Sequence, residues 1–116
     1  MIFVSGTTGF SENGEVTSDS DEYTQTKRAI QNIDNTLRRV GSSLDEIVRT
    51  RVFVGQGADW HAIARAHLEF FGVIMPASTM VVCNFLDPRV KVEIEADAVA
   101  NSISSPDGKG DNDDNT

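Results

Sequence analysis

Residues 90–99 constrain the fold more than any other segment, because Val90, Val92, Ile94, Ala96 and Ala98 alternate strictly with Lys91, Glu93, Glu95 and Asp97. A period of two marks a strand with one dry face and one charged face. The chain must therefore build a sheet that is covered on at least one side. Residues 79–86 are apolar at both alternations, with Met80, Val82 and Leu86 on one side and Val81, Cys83 and Phe85 on the other. Such a strand is expected to be buried on both faces. The turn dipeptide Asp87-Pro88 separates the two runs, and the spacing predicts a hairpin.

The cover for this sheet is legible as two helices. Ser18, Asp19, Ser20 and Asp21 are N-cap candidates for a helix whose apolar positions are Tyr23, Ile30, Ile33, Leu37 and Val40, closed by Gly41 as the residue after the cap. Asp59 can cap a second, with Trp60, Ile63, Ala64, His67, Leu68 and Phe71 on one face and Gly72 and Pro76 ending it. Residues 1–4 open the chain as a strand that runs into the turn-rich Ser5-Gly6-Thr7-Thr8-Gly9, and Asn13-Gly14 is a further turn. Ser43 and Glu46 make a capping-box pattern for one helical turn over 44–48, before 49–54 goes extended. Strand, helix, strand, helix, strand, strand predicts an α+β fold with both helices on one face of the sheet. Two helices cannot cover two faces, so the far face is expected to meet further copies of the chain.

A length of 116 residues suits one domain. Residues 101–116 hold one large apolar side chain, Ile103, and four aspartates against one lysine, the composition of a disordered acidic tail. The formal charge of −8 falls to −5 over residues 1–100, which disfavours binding to nucleic acid or anionic membranes. No apolar run approaches the roughly 20 residues of a membrane span, and no signal-peptide pattern opens the chain, so a soluble cytoplasmic protein is expected. Cys83 is the only cysteine, which excludes an internal disulfide and a Cys-x-x-Cys zinc site. His61 and His67 stand six apart on one helix and point in different directions, so no shared metal site is expected. His67 is expected to pack or hydrogen-bond at the edge of the core, His61 to face solvent, and Cys83 to be an inert thiol.

The residues with chemistry to offer are Ser78 and Thr79, just after Pro76, and Glu93 on the charged face of the last strand. On a hairpin, hydroxyls from one strand and a carboxylate from the other would share a cleft, where Glu93 can orient a water or accept a proton. The competing reading makes Lys91, Glu93, Glu95 and Asp97 an ordinary solvated face.

Phe3-Val4-Ser5-Gly6, Gly41-Ser42-Ser43-Leu44-Asp45-Glu46-Ile47-Val48, Val52-Phe53-Val54, Phe70-Phe71-Gly72, Pro76-Ala77 and Val92-Glu93-Ile94-Glu95-Ala96 resemble the successive blocks of the Rid/YjgF family of reactive-intermediate deaminases, also called the L-PSP endoribonucleases. The likeness runs in order over residues 1–99. It implies a chorismate-mutase-like fold, a homotrimer with sheets inward and helices outward, and a small-molecule cleft at each subunit interface. The activity it implies is cofactor-independent hydrolysis of enamines and imines to a carbonyl compound and ammonia. In such members an arginine after Pro-Ala grips the substrate carboxylate and a glutamate on the last strand positions water. Glu93 matches that glutamate. Ser78 stands in the arginine's place, Met80 in that of a frequent cysteine and Ala64 in that of a helix asparagine. The family's first strand has no counterpart before Met1. The Ser5-Gly6 backbone, Ser78, Thr79 and Met80 are the expected binding groups, with Arg89 on the adjoining turn as the cation that can replace the arginine. A non-catalytic trimer binding a ligand or partner protein is the alternative, and an endoribonuclease the third reading.

Overall fold

The computed structural model describes residues 1–11 and 21–100. Their elements are β1 (Ile2–Thr7), α1 (Glu22–Arg38), a 3-10 turn (Leu44–Glu46), β2 (Ile47–Gly55), α2 (Trp60–Phe71), β3 (Ala77–Cys83) and β4 (Val92–Ala98). The Asn13-Gly14 turn, the earlier cap candidates and the acidic tail lie outside the described residues.

The four strands form one sheet in the order β1-β4-β2-β3. β4 runs antiparallel to both neighbours, β1 and β2, while β2 and β3 are parallel. The chain thus crosses from β1 to β2 and from β2 to β3 in the same direction. Crossovers of one hand taken in one direction set both helices on the same face, as the element order predicts.

The expected hairpin does not form. β2 lies between β3 and β4, so Asp87-Pro88 belongs to a connection that spans a strand instead of turning beside one. A strand end carries no record of which free edge will accept it, and β2 offers two, a parallel one to β3 and an antiparallel one to β4. The strand after α2 also stops at Cys83, short of Leu86.

Each helix is closed locally. Asp21 caps α1 by accepting from Thr24 N at 2.7 Å. At its other end Ser42 N donates to Leu37 O at 2.9 Å and Gly41 N to Arg38 O at 3.2 Å, and Gly41 takes φ 83°, the left-handed conformation that glycine adopts without penalty. Asp59 caps α2 through His61 N and Ala62 N. The residue of positive φ beyond α2 is Met75, at 56°, and not Gly72. The expected capping box does not form: Ser43 makes no side-chain bond to a backbone N–H and its Oγ bonds Asp45, while Ser42 donates to the Glu46 carboxylate at 2.5 Å.

The core fills the space between helices and sheet. Ile30, Ile33 and Leu37 of α1 and Ile63 of α2 meet Val52, Val54, Val92 and Ile94, all fully or nearly fully buried. Each such side chain contributes about 1.5–3 kcal/mol. Strict alternation holds along β4, whose Val92, Ile94, Ala96 and Ala98 are buried under the helices. Three residues placed on apolar helix faces, Val40, Trp60 and Leu68, are instead exposed: Val40 lies beyond the end of α1 at Arg38, and α2 buries Ile63, Ala66 and Phe71 instead of Trp60 and Leu68. Trp60 stacks on His61, with ring centroids 3.7 Å apart.

β3 is the least covered strand. Its residues from Ala77 to Val82 are exposed and Cys83 is half-buried, in contrast to the double burial its sequence predicts for a complete assembly. On the sheet face away from the helices, Phe3 is 75% exposed and Val81 44%. That face also carries Arg51, bridging Glu95 at 3.4 Å and Asp97 at 3.0 Å.

Candidate functional site

Registration assigns each candidate residue to a side of the sheet. Thr50 of β2 pairs with Ser78 of β3 and with Ala96 of β4, and Val52 pairs with Met80 and Ile94. Cross-strand partners share a face, so Ser78 and Met80 belong to the helix side. Thr79 pairs with Arg51 and lies on the far side, as does Glu93, which pairs with Phe53. Within one chain Ser78 and Glu93 are therefore on opposite faces and two strands apart. The shared cleft expected of a hairpin becomes two half-sites.

The first half-site gathers around Glu93. Between Val4 and Thr7 the register of β1 against β4 slips, so Ser5 and Gly6 form an irregularity opposite Glu95, in the middle of β4. Glu93 reaches back over this irregularity. A Cβ at Gly6 would stand 2.8 Å from Glu93 Cδ, so the glycine is what lets the carboxylate lie against the backbone. Beyond it a cleft of about 330 Å³ is lined by Glu93, Thr8, Phe10, Phe85, Leu86 and Asp87 among others.

Two amides that no sequence pattern singles out hold this cleft's walls to α1. Buried Gln25 donates to Arg89 O and accepts from Lys91 N, both at 2.9 Å. Asn32 Nδ2 donates to Thr8 O and Phe10 O, both at 3.0 Å. A glutamine and an asparagine read as polar positions of an amphipathic helix. Only the loops they grip reveal them as supports.

Arg89 borders the Glu93 cleft with its charge directed at Asp87. Nε and Nη2 fork onto the two carboxylate oxygens at 3.0 and 2.7 Å, and the guanidinium lies 5.8 Å over the Phe10 ring. The fork and the Arg89 backbone N–H hold the Asp87 pKa down at about 2. Arg89 is not among the residues lining the cleft that contains Ser78.

The second half-site lies between α2 and β3, a cleft of about 500 Å³. Ala64, His67, Leu68 and Phe71 of α2 face Ser78 and Met80, with Met75 and Pro76 closing one end. Beneath it, fully buried Thr50 donates to Ser78 Oγ at 2.8 Å and lies 2.9 Å from His67 Nε2. Burial pushes the His67 pKa below the ordinary histidine range, and its ring tilts against Phe71 at 4.6 Å. His67 hydrogen-bonds at the core edge as its position on α2 suggested. Thr50, which joins it to Ser78, carried no signal in the sequence, since threonine is an ordinary strand residue.

No group of three or more His, Cys, Asp and Glu able to hold a metal exists among the described residues. No helix among them is long and apolar enough to cross a membrane.

Comparison with known proteins agrees with this architecture. The family model described as Endoribonuclease L-PSP matches residues 1–100. A protein of Streptomyces coelicolor is 33% identical over 105 residues, spanning 90% of this chain and 78% of its own. The 3-aminoacrylate deaminase RutC of Acinetobacter baylyi is 29% identical over 94 residues, 81% of this chain and 75% of RutC. The crystal structure of a YjgF/YER057c/UK114 family member from Mycobacterium tuberculosis superposes with a TM-score of 0.71 at 35% identity, covering 83% of this chain and 75% of that one.

Proposed function

Because the chain belongs to the Endoribonuclease L-PSP family, which includes the YjgF and Rid proteins, we propose that it hydrolyses small reactive imines and enamines to a carbonyl compound and ammonia, at a cleft shared by neighbouring copies in a homotrimer. The observation that carries this reading is the Glu93 carboxylate held against Gly6 at the mouth of a cleft. A carboxylate so placed accepts a hydrogen bond from water and directs the water's oxygen at an electrophilic carbon. The water oxygen bonds to the imine carbon while a proton passes to the nitrogen. The carbon–nitrogen bond then breaks, ammonia leaves and the carbonyl remains, with no oxidation or reduction. An enamine enters the same path after its carbon takes up a proton.

Assembly follows from the split site. Ser78 and Glu93 cannot meet within one chain, and the face bearing Phe3 and Val81 is uncovered. A neighbouring copy seated on that face and on the β3 edge supplies the missing half and buries the apolar side chains. Binding or cleavage of RNA is not favoured, because residues 1–100 carry −5 and repel a phosphate backbone.

The test is ammonia release from imines formed in the assay, comparing the native protein with Glu93→Ala. A native rate above that of buffer and its loss in the variant are expected. Equal rates in both proteins would remove Glu93 from the mechanism, and no acceleration over buffer would leave the chain a non-catalytic binder.

A further inference from the structure

The α2–β3 cleft ends in an oriented chain of hydrogen bonds. A threonine hydroxyl has one proton, and Thr50 gives its proton to Ser78 Oγ. With the His67 proton on Nε2, the contact between Thr50 Oγ1 and His67 Nε2 is made by the imidazole N–H donating to the threonine oxygen. In that tautomer the chain runs one way, from His67 through Thr50 to Ser78. It ends on a Ser78 O–H whose own proton is left for an occupant of the cleft. The depressed pKa of His67 keeps the imidazole neutral at pH 7, so nothing in the relay brings a charge.

The rest of the lining that one subunit supplies is apolar, with Leu68, Phe71, Met75 and Met80 its large members, and no charged side chain of the same subunit is part of it. The nearby arginines are directed elsewhere. Arg51 bridges Glu95 and Asp97 on the opposite face of the sheet, and Arg89 forks onto Asp87 at the other cleft. A volume of about 500 Å³ lies within the range of small-molecule sites. A carboxylate buried there would lose its hydration with no cation to replace it. A neutral molecule with one acceptor atom loses little and gains the serine's hydrogen bond.

We propose that this cleft selects an uncharged, largely apolar imine or enamine, gripped at its nitrogen by Ser78 Oγ–H, and excludes carboxylate-bearing substrates. Ser78 is thereby the specificity-determining residue, with Thr50 and His67 positioning it. The reaction assigned to such a molecule rests on the hydrolysis reading above, whereas the charge rule rests on the lining alone.

Three ring compounds of nearly one shape separate the two claims: cyclohexanone, neutral with an acceptor; methylenecyclohexane, neutral without one; and cyclohexanecarboxylate, charged. Each is titrated into the full-length native protein and into Ser78→Ala, following the His67 ring and Ser78 amide signals by NMR. A hydrogen bond of about 1 kcal/mol corresponds to roughly a fivefold preference for the ketone over the alkene. The carboxylate is expected to bind at least tenfold more weakly than the ketone, and Ser78→Ala to abolish the ketone's advantage while leaving alkene binding intact. Three results overturn the proposal: carboxylate binding as tight as ketone binding, a ketone preference that survives Ser78→Ala, or no response of the cleft signals to any probe, as when a neighbouring copy fills the space. The hydrolysis reading fails on different data, namely decay of both a neutral imine and 2-aminoacrylate at the buffer rate, whatever the titrations show.

Discussion

Replacing Gly6 by alanine separates the position of the Glu93 carboxylate from the stability of the fold. The added Cβ would lie 2.8 Å from Glu93 Cδ and 3.2 Å from Cγ, where carbon atoms require about 3.5–4.0 Å. The backbone here is fixed by pairing on either side of the irregularity and cannot yield cheaply, but the end of a glutamate can, so the carboxylate must withdraw by roughly 1 Å. Forcing it off its rotamer costs about 0.5–1.5 kcal/mol. Gly41 and Gly57 hold the positive φ values among the described glycines, so the backbone at Gly6 accepts an alanine. An alanine there restricts the unfolded chain and returns about 0.4–1 kcal/mol. The two terms nearly cancel, and Tm is expected to move by no more than a few degrees. Activity is expected to fall about 100-fold, the scale of loss that follows a 1 Å misplacement of a reacting group. The assay is trapping of benzaldimine, released from benzylamine by a flavin amine oxidase, with semicarbazide in competition with the protein, and Glu93→Ala sets the floor. A Gly6→Ala protein with native Tm and native rate would refute the assignment of Glu93 to positioning water. A protein that no longer folds would show that Gly6 serves the strand and not the carboxylate.

Native protein is expected to handle 2-aminoacrylate, generated by a pyridoxal-phosphate lyase, far less well than benzaldimine, and Ser78→Arg to raise the former by roughly two to four powers of ten, since a guanidinium fork adds two charge-assisted hydrogen bonds of about 1.5–3 kcal/mol each. Efficient native turnover of 2-aminoacrylate in the same trapping assay would defeat that expectation. Thr50→Val keeps the side chain's shape but leaves His67 Nε2 without its hydrogen-bond partner, and chemical denaturation should show a loss of about 1–2 kcal/mol. Burial lowers the His67 pKa, so the unfolded chain binds more protons between that depressed value and about 6.5. Stability therefore falls as pH drops through that window and levels off below it, and His67→Gln should flatten this part of a Tm-against-pH curve. Light scattering at micromolar concentration is expected to give the mass of a trimer, unchanged when residues 101–116 are removed, because a segment of that composition has little apolar surface with which to dock.

Local pattern carried much of this architecture. Both helices, their caps at Asp21 and Asp59 and the Gly41 terminus were legible because a helix is written in residues three and four apart, and caps lie within one turn. The alternation of β4 likewise declared its dry face before any partner was known. Glu93 was marked out by its chemistry and by the blocks it shares with a family, and Ser78 by an absent charge. Tertiary structure alone decided which residues share a site. A strand's period says which side chains share a face but not which strand lies next to it, so the insertion of β2 between β3 and β4, which sets Ser78 and Glu93 two strands apart, had no local signature. Thr50 joins Ser78 to His67 only because β2 pairs in register with β3 beneath α2, a juxtaposition of residues 17 and 28 positions apart in the chain. The hydrogen bonds that would give the cleft its preference are therefore products of strand registration, which the chain fixes only when its distant segments meet.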